Sequence, residues 1–184
     1  PYYRELPDGT IKQVNPFTGT KVWTVPGRGA RPLGKPAEQT RELTDHDRRA
    51  ACVFCPDNCL STPPEKTRLV KRAGGLVRGH DLIRCVPADR LDATVPEFRR
   101  VPNLFEILSW RYWQLNWGMS LPRAARDWQE EYLSNPSGEA HVRSVLNVKF
   151  KAVGSDRRAE DLGPQELREA SAAFFAGGHD VIVA

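Results

Sequence analysis

The amino-acid sequence predicts an α+β fold, and two observations carry that expectation. Short strand signals and Gly/Pro-rich loops crowd the first half, whereas longer amphipathic periods take over after Asn103, the one candidate boundary. Fifteen prolines and fourteen glycines in 184 residues leave too little uninterrupted chain for a helical bundle. With 40% hydrophobic and 27% charged residues, the chain suits one or two globular domains, and this composition excludes collagen, coiled coil and wholesale disorder. No apolar run reaches the roughly 18 residues needed to cross a bilayer, so a soluble chain is expected. It begins at Pro1 and stops inside the apolar run Val181-Ile182-Val183-Ala184, and is expected to be part of a longer polypeptide.

Each element follows from local signals. Thr10 to Val25 alternates as a hairpin does, with Ile11, Val14, Val22, Trp23 and Val25 flanking Asn15-Pro16-Phe17-Thr18-Gly19. Pro26 to Gln39 has no apolar period and reads as a loop lying over a site, and Thr44 to Ala51 fits one helical turn capped by Thr44 or Asp45. Thr67 to Lys71 and Leu82 to Val86 fit short strands, with glycine-rich Arg72 to His80 between them and Asp89 to Arg99 as a connection. Phe105 to Trp117 and Leu121 to Leu133 read as helices, the second opened by Ser120 and Pro122 and broken at Asn135-Pro136-Ser137-Gly138. His141 to Val153 fits a helical face for part of its length and then alternates as a strand would, so both readings stand. Gly163-Pro164 to Phe175 predicts an amphipathic helix with Leu167, Ala170, Phe174 and Phe175 inward, and a strand from Asp180 to Ala184 follows. There is no internal repeat.

The cysteines carry the sharpest chemical signal. Cys52, Cys55 and Cys59 crowd one segment and Cys85 stands apart, which does not read as a disulfide scaffold and points to a reducing, cytoplasmic setting. In Cys52-Val53-Phe54-Cys55 a tight turn can aim two thiolates at one tetrahedral zinc ion, with further ligands from Cys59, His80, Cys85, His179 or residues beyond Ala184. Two other readings stand beside it: a redox dithiol, which Pro56 disfavours at a helix start, and small buried thiols.

Charge adds a second candidate. In Val25-Pro26-Gly27-Arg28-Gly29-Ala30-Arg31-Pro32 the guanidiniums of Arg28 and Arg31 lie among glycines that let backbone N–H groups approach a phosphate. A net charge of +4 permits a phosphate-bearing partner without demanding one.

Five blocks in one order carry a resemblance: Asn15-Pro16-Phe17-Thr18-Gly19-Thr20-Lys21-Val22-Trp23, Arg28-Gly29-Ala30-Arg31-Pro32, Cys52-Val53-Phe54-Cys55-Pro56-Asp57-Asn58, Val101-Pro102-Asn103-Leu104-Phe105, and Gly178-His179-Asp180-Val181-Ile182-Val183. Together they resemble the N-terminal half of galactose-1-phosphate uridylyltransferases, members of the histidine-triad superfamily of nucleotidyl transferases. The resemblance implies a mainly antiparallel sheet with helices on one face. It implies zinc at Cys52 and Cys55, with Cys59, His80 or His179 as further ligands, and phosphate or nucleotide contacts at Arg28, Arg31, Asn103 and Phe105. The implied ligand is a nucleotide or nucleotide sugar. The family's catalytic H-x-H-x-Q is absent, since His46, His80, His141 and His179 stand singly, so no catalytic residue is assigned.

The chain departs from that family at an insertion, roughly Ser109 to Leu162. This divides it into a transferase-like part over 1–108, a helical insertion over 109–162, and a helix and strand over 163–184 that rejoin the sheet. On the predicted insertion helix Trp110, Trp113 and Trp117 share one stripe, and Leu104, Leu108, Tyr112 and Leu115 the other. Core packing explains both stripes. The alternative is a non-enzymatic factor that docks on the ribosome, RNA or a protein partner through Trp110, Trp113, Trp117 and Arg111.

Overall fold

A computed structural model describes residues 2–26, 42, 44–45, 47–48, 52–72, 79–103, 109–152, 154–177 and 180–183. The chain forms two units, Pro1–Glu42 with Glu106–Ser120, and Leu43–Phe105 with Leu121–Ala184.

In the first unit, β1 (Tyr3–Glu5), β2 (Ile11–Val14) and β3 (Lys21–Thr24) form an antiparallel meander in that order. The expected hairpin is β2 and β3. Its turn is closed by Asn15, whose side-chain oxygen accepts from the N–H groups of Phe17 at 2.9 Å and Thr18 at 3.1 Å. Gly19 follows at φ 69, a conformation that penalises any side chain. β1 lies ahead of the segments that the sequence marks as strands, and Asp8 sets its turn by accepting from the Thr10 N–H and hydroxyl. Helix α1 (Trp110–Trp117) also belongs to this unit, with the Ser109 side chain accepting from the Tyr112 N–H and Gly118 closing it at φ 62.

The second unit is built on a four-stranded antiparallel sheet of β4 (Thr67–Lys71), β5 (His80–Arg84), β6 (Pro96–Pro102) and β7 (Asp180–Val183), ordered β5-β4-β6-β7. β4 and β7 lie where the sequence places them, and β5 starts two residues early. β6 occupies the end of the stretch read as a connection, behind a 3₁₀ turn at Ala88–Ala93. The misreading has a physical cause. Arg68 pairs with both Ile83 and Arg99, and Leu69 with both Leu82 and Phe98, so one face carries Arg68, Val70, Arg99 and Val101. That face is buried, while Leu82, Phe98 and Ile182 on the other are exposed. Charge turned inward and apolar side chains turned outward invert the pattern that marks a half-buried strand.

Three helices, α2 (Arg123–Ser134), α3 (Pro136–Ala152) and α4 (Pro164–Phe175), supply most of the main core, Tyr132, Val142, Val145, Leu146, Leu167, Phe174 and Phe175, and Leu162 joins them from the connection between α3 and α4. The segment with two open readings is helical, because Val142, Val145 and Leu146 meet that core while Val148, which suggested alternation, is exposed. The expected breaker amounts to Asn135 alone, and helix resumes at Pro136, where a missing N–H costs nothing. Pro122, not Ser120, precedes α2. Of the insertion over 109–162, α1 lies in the first unit, whereas α2 and α3 share one core with α4.

The corner between α2 and α3 is tight. A Cβ at Gly138 would sit 2.0 Å from the Tyr132 carbonyl oxygen, so only glycine fits there. Gly138→Ala is expected to lower stability by about 1–3 kcal/mol in urea unfolding. Gly177→Ala, whose added methyl meets nothing within 4 Å, should leave the midpoint unchanged.

Candidate functional site

Three charged side chains are packed under the thiol segment. Glu65, Arg68 and Arg99 are all buried, and the Glu65 carboxylate accepts from both guanidiniums. The Arg68 contact is bidentate, Nε to Oε2 at 2.8 Å and Nη2 to Oε1 at 2.9 Å, a geometry that fits the planar fork. Remaining donors are spent on nearby oxygens. Arg68 Nη1 reaches the carbonyls of Leu91 at 2.6 Å and Thr94 at 2.7 Å, which holds the 3₁₀ turn before β6. Arg99 Nη2 reaches the Thr62 hydroxyl at 2.7 Å and the Cys59 carbonyl at 3.4 Å, and its Nη1 the Phe54 carbonyl at 3.5 Å.

Those last contacts anchor the thiol turn. The Cys55 N–H donates to the Cys52 carbonyl at 3.1 Å, and the Asn58 side-chain amide donates to the same carbonyl at 2.8 Å. The Asn58 N–H donates in turn to the Cys55 carbonyl at 2.8 Å, so the turn leads directly into a 3₁₀ segment at Pro56–Ser61. Cys52 is exposed and Cys55 half-buried. Hydrogen bonding, first from the Phe54 N–H and then from the Cys55 thiol, holds the Cys52 thiol below its ordinary pKa.

The helices reach this site through Thr62. Its carbonyl accepts from His141 Nε2 at 2.8 Å, and His141 Nδ1 lies 2.7 Å from the Tyr132 hydroxyl. A neutral ring satisfies both neighbours, donating from Nε2 and accepting at Nδ1. Burial holds the His141 imidazole below its ordinary pKa and pushes the Tyr132 phenol up.

The sequence-predicted residues are distributed as follows. Cys52 and Cys55 share the turn, and Asn103 stands half-buried just past the end of β6. Cys59 is buried with its sulfur 3.7 Å from Arg68 Nη2, where burial pushes its thiol pKa up. His80 pairs with the Glu97 carboxylate at the start of β5. Cys85 is exposed at the end of β5, in the left-handed region at φ 51. Arg28, Arg31, Phe105 and His179 lie outside the described residues. Among those described, no three His, Cys, Asp or Glu side chains gather as a metal-holding group, so the two thiols stand as a pair. On α1, Trp110 and Trp113 are half-buried, and Arg111 and Trp117 exposed. Sequence reasoning missed Glu65, Arg68 and Arg99, for which the Glu65-x-x-Arg68 spacing was the one local signal, and it placed Asn58 in the cysteine block without giving it a role.

Removing the shared carboxylate strands two buried guanidiniums. Glu65→Ala is expected to cost about 3–5 kcal/mol in urea unfolding. Asp81→Ala, at the exposed pair with Arg72, should leave the midpoint unchanged. His141 adds a pH dependence of definite sign. Below pH ~6.5 the unfolded chain binds a proton that the buried ring refuses, so stability is full above that value and falls as pH drops. Melting temperature should therefore fall between about pH 7 and pH 5, and fall less in His141→Gln.

No curated protein and no solved structure shows a significant match to this sequence. A family model described as a domain of unknown function, DUF4921, matches residues 6–184, and the chain belongs to that family.

Proposed function

We propose that the chain is a zinc-binding, uridylyltransferase-like half-domain of the histidine-triad type that holds the phosphates of a nucleotide or nucleotide sugar and is catalytically incomplete by itself. The observation that carries this reading is the preformed Cys52-x-x-Cys55 turn, clamped by Asn58 and fastened to the sheet through Arg99. Two thiols presented by one tight turn fit half of a tetrahedral zinc site. Bound zinc would be structural, ordering the loops around the two cysteines. β6 presents Arg99 to the turn and ends just before Asn103, roughly 13 Å further along the strand. Arg28 and Arg31 neutralise phosphate charge in this reading. Four cysteines outside any disulfide fit a reducing, cytoplasmic setting, and no helix among the described residues is long and apolar enough to cross a membrane.

Metal analysis tests the first half of the proposal. The purified chain should carry about one zinc, Cys52→Ser and Cys55→Ser should lose it, and Cys85→Ser should keep it. An unchanged metal content in Cys52→Ser rejects the zinc site. For the second half, titration calorimetry with uridine diphosphate should show binding that weakens about tenfold when Arg28 and Arg31 are both replaced by glutamine.

One observation favours a second reading. Trp117 is 67% exposed and Leu115 46% exposed, which suits a non-enzymatic factor that docks on the ribosome, RNA or a protein partner through Trp110, Trp113, Trp117 and Arg111. Salt-sensitive co-sedimentation with ribosomes, lost in Trp117→Ala and unaccompanied by uridylyl transfer, would support it.

A further inference from the structure

The strand pairing of the first unit sorts its side chains unevenly. Tyr3 pairs with Gln13 and Gln13 with Val22, while Arg4 pairs with Lys12 and Lys12 with Trp23. The Val14 N–H donates to the Tyr2 carbonyl, which extends the ladder by one row, and Val14 pairs with Lys21. Because side chains alternate along a strand, one face of β1 to β3 carries two rows, Arg4-Lys12-Trp23 and Tyr2-Val14-Lys21. The other face carries Tyr3, Glu5, Ile11, Gln13, Val22 and Thr24. All three cations of these strands thus fall on one side and their acid, Glu5, on the other.

We propose that the cationic face is a binding platform for single-stranded nucleic acid. It goes beyond the nucleotide-phosphate reading and uses neither the thiols nor Arg28 and Arg31. Tyr2 is 66% exposed and Trp23 47% exposed, so two rings lie open to stacking among the positive charges. They sit at the two sides of the meander and one row apart, about 12 Å from each other. The Lys12 ammonium lies over the Trp23 ring, 5.7 Å from its centre, so a base that stacks on that face takes the place of the ammonium and offers Lys12 its own phosphate in exchange. Single strands are held by aromatic faces interleaved with backbone-neutralising cations, and the described strand residues of this face supply both with no acid among them. An acidic peptide would use the cations and leave the two rings idle.

The test is fluorescence anisotropy of the full chain with a labelled oligouridylate of about 12 nucleotides. With three cations engaged, affinity should fall about 20-fold between roughly 50 and 200 mM salt. Trp23→Ala should weaken binding roughly tenfold and Trp23→Phe, which keeps a stacking face, much less. Replacing Lys12 and Lys21 together by glutamine should flatten the salt dependence, and Glu5→Gln on the opposite face should change nothing. A deoxythymidylate of equal length binding as well supports the proposal, because stacking does not read the 2′-hydroxyl. Absence of binding overturns it, as does binding indifferent to Trp23→Ala, equal affinity for duplex RNA, or equal competition by oligoglutamate.

Discussion

The Glu65 carboxylate, shared by Arg68 and Arg99 beneath the thiol turn, is the constraint on which the second unit depends. Taking three charges out of water is expensive, and the attraction within the cluster repays that cost only when the remaining donors are satisfied. Here they are spent on the carbonyls of Leu91, Thr94, Cys59 and Phe54 and on the Thr62 hydroxyl. Those oxygens lie in or next to the thiol segment and the 3₁₀ turn before β6, which share only a small apolar patch of Cys59, Val86 and Leu91. The cluster therefore determines where loops sit, which hydrophobic burial, being non-directional, does poorly.

Thr62 joins this cluster to the helices. Its hydroxyl accepts from Arg99 and donates to the Cys59 carbonyl, while its carbonyl accepts from His141 on α3. A disturbance of the helical core thus has a short covalent and hydrogen-bonded route to the segment that carries Cys52 and Cys55. At the sheet edge a second polar clasp holds β7: Asp180 lies 2.5 Å from Lys66 Nζ and 2.6 Å from Arg100 Nη2. Charged side chains, rather than a continuous apolar layer, thus stitch the loops and the edge strand to this sheet.

The first unit follows a different logic. Its strands are short and largely exposed on both faces, and its turns are set by local hydrogen bonds from Asp8 and Asn15. Alternation there sorts charge instead of separating core from solvent. A surface organised by charge and exposed rings serves recognition better than it serves stability.

What could be read from the sequence was local in origin. The hairpin at β2 and β3, the helix α4, the strand at Asp180 and the tight Cys52-x-x-Cys55 turn each depend on residues a few positions apart, through turn chemistry and period. Tertiary structure decided the rest. Arg99 is buried because Glu65, 34 residues away, receives it, so β6 carries a polarity that its own segment cannot explain. His141 to Ala152 is helical because Val142, Val145 and Leu146 find Leu167 and Phe174 beyond the turn at Gly163. In the first place a distant partner overrode the local pattern and in the second it decided between two open readings, and no window of sequence contains that partner.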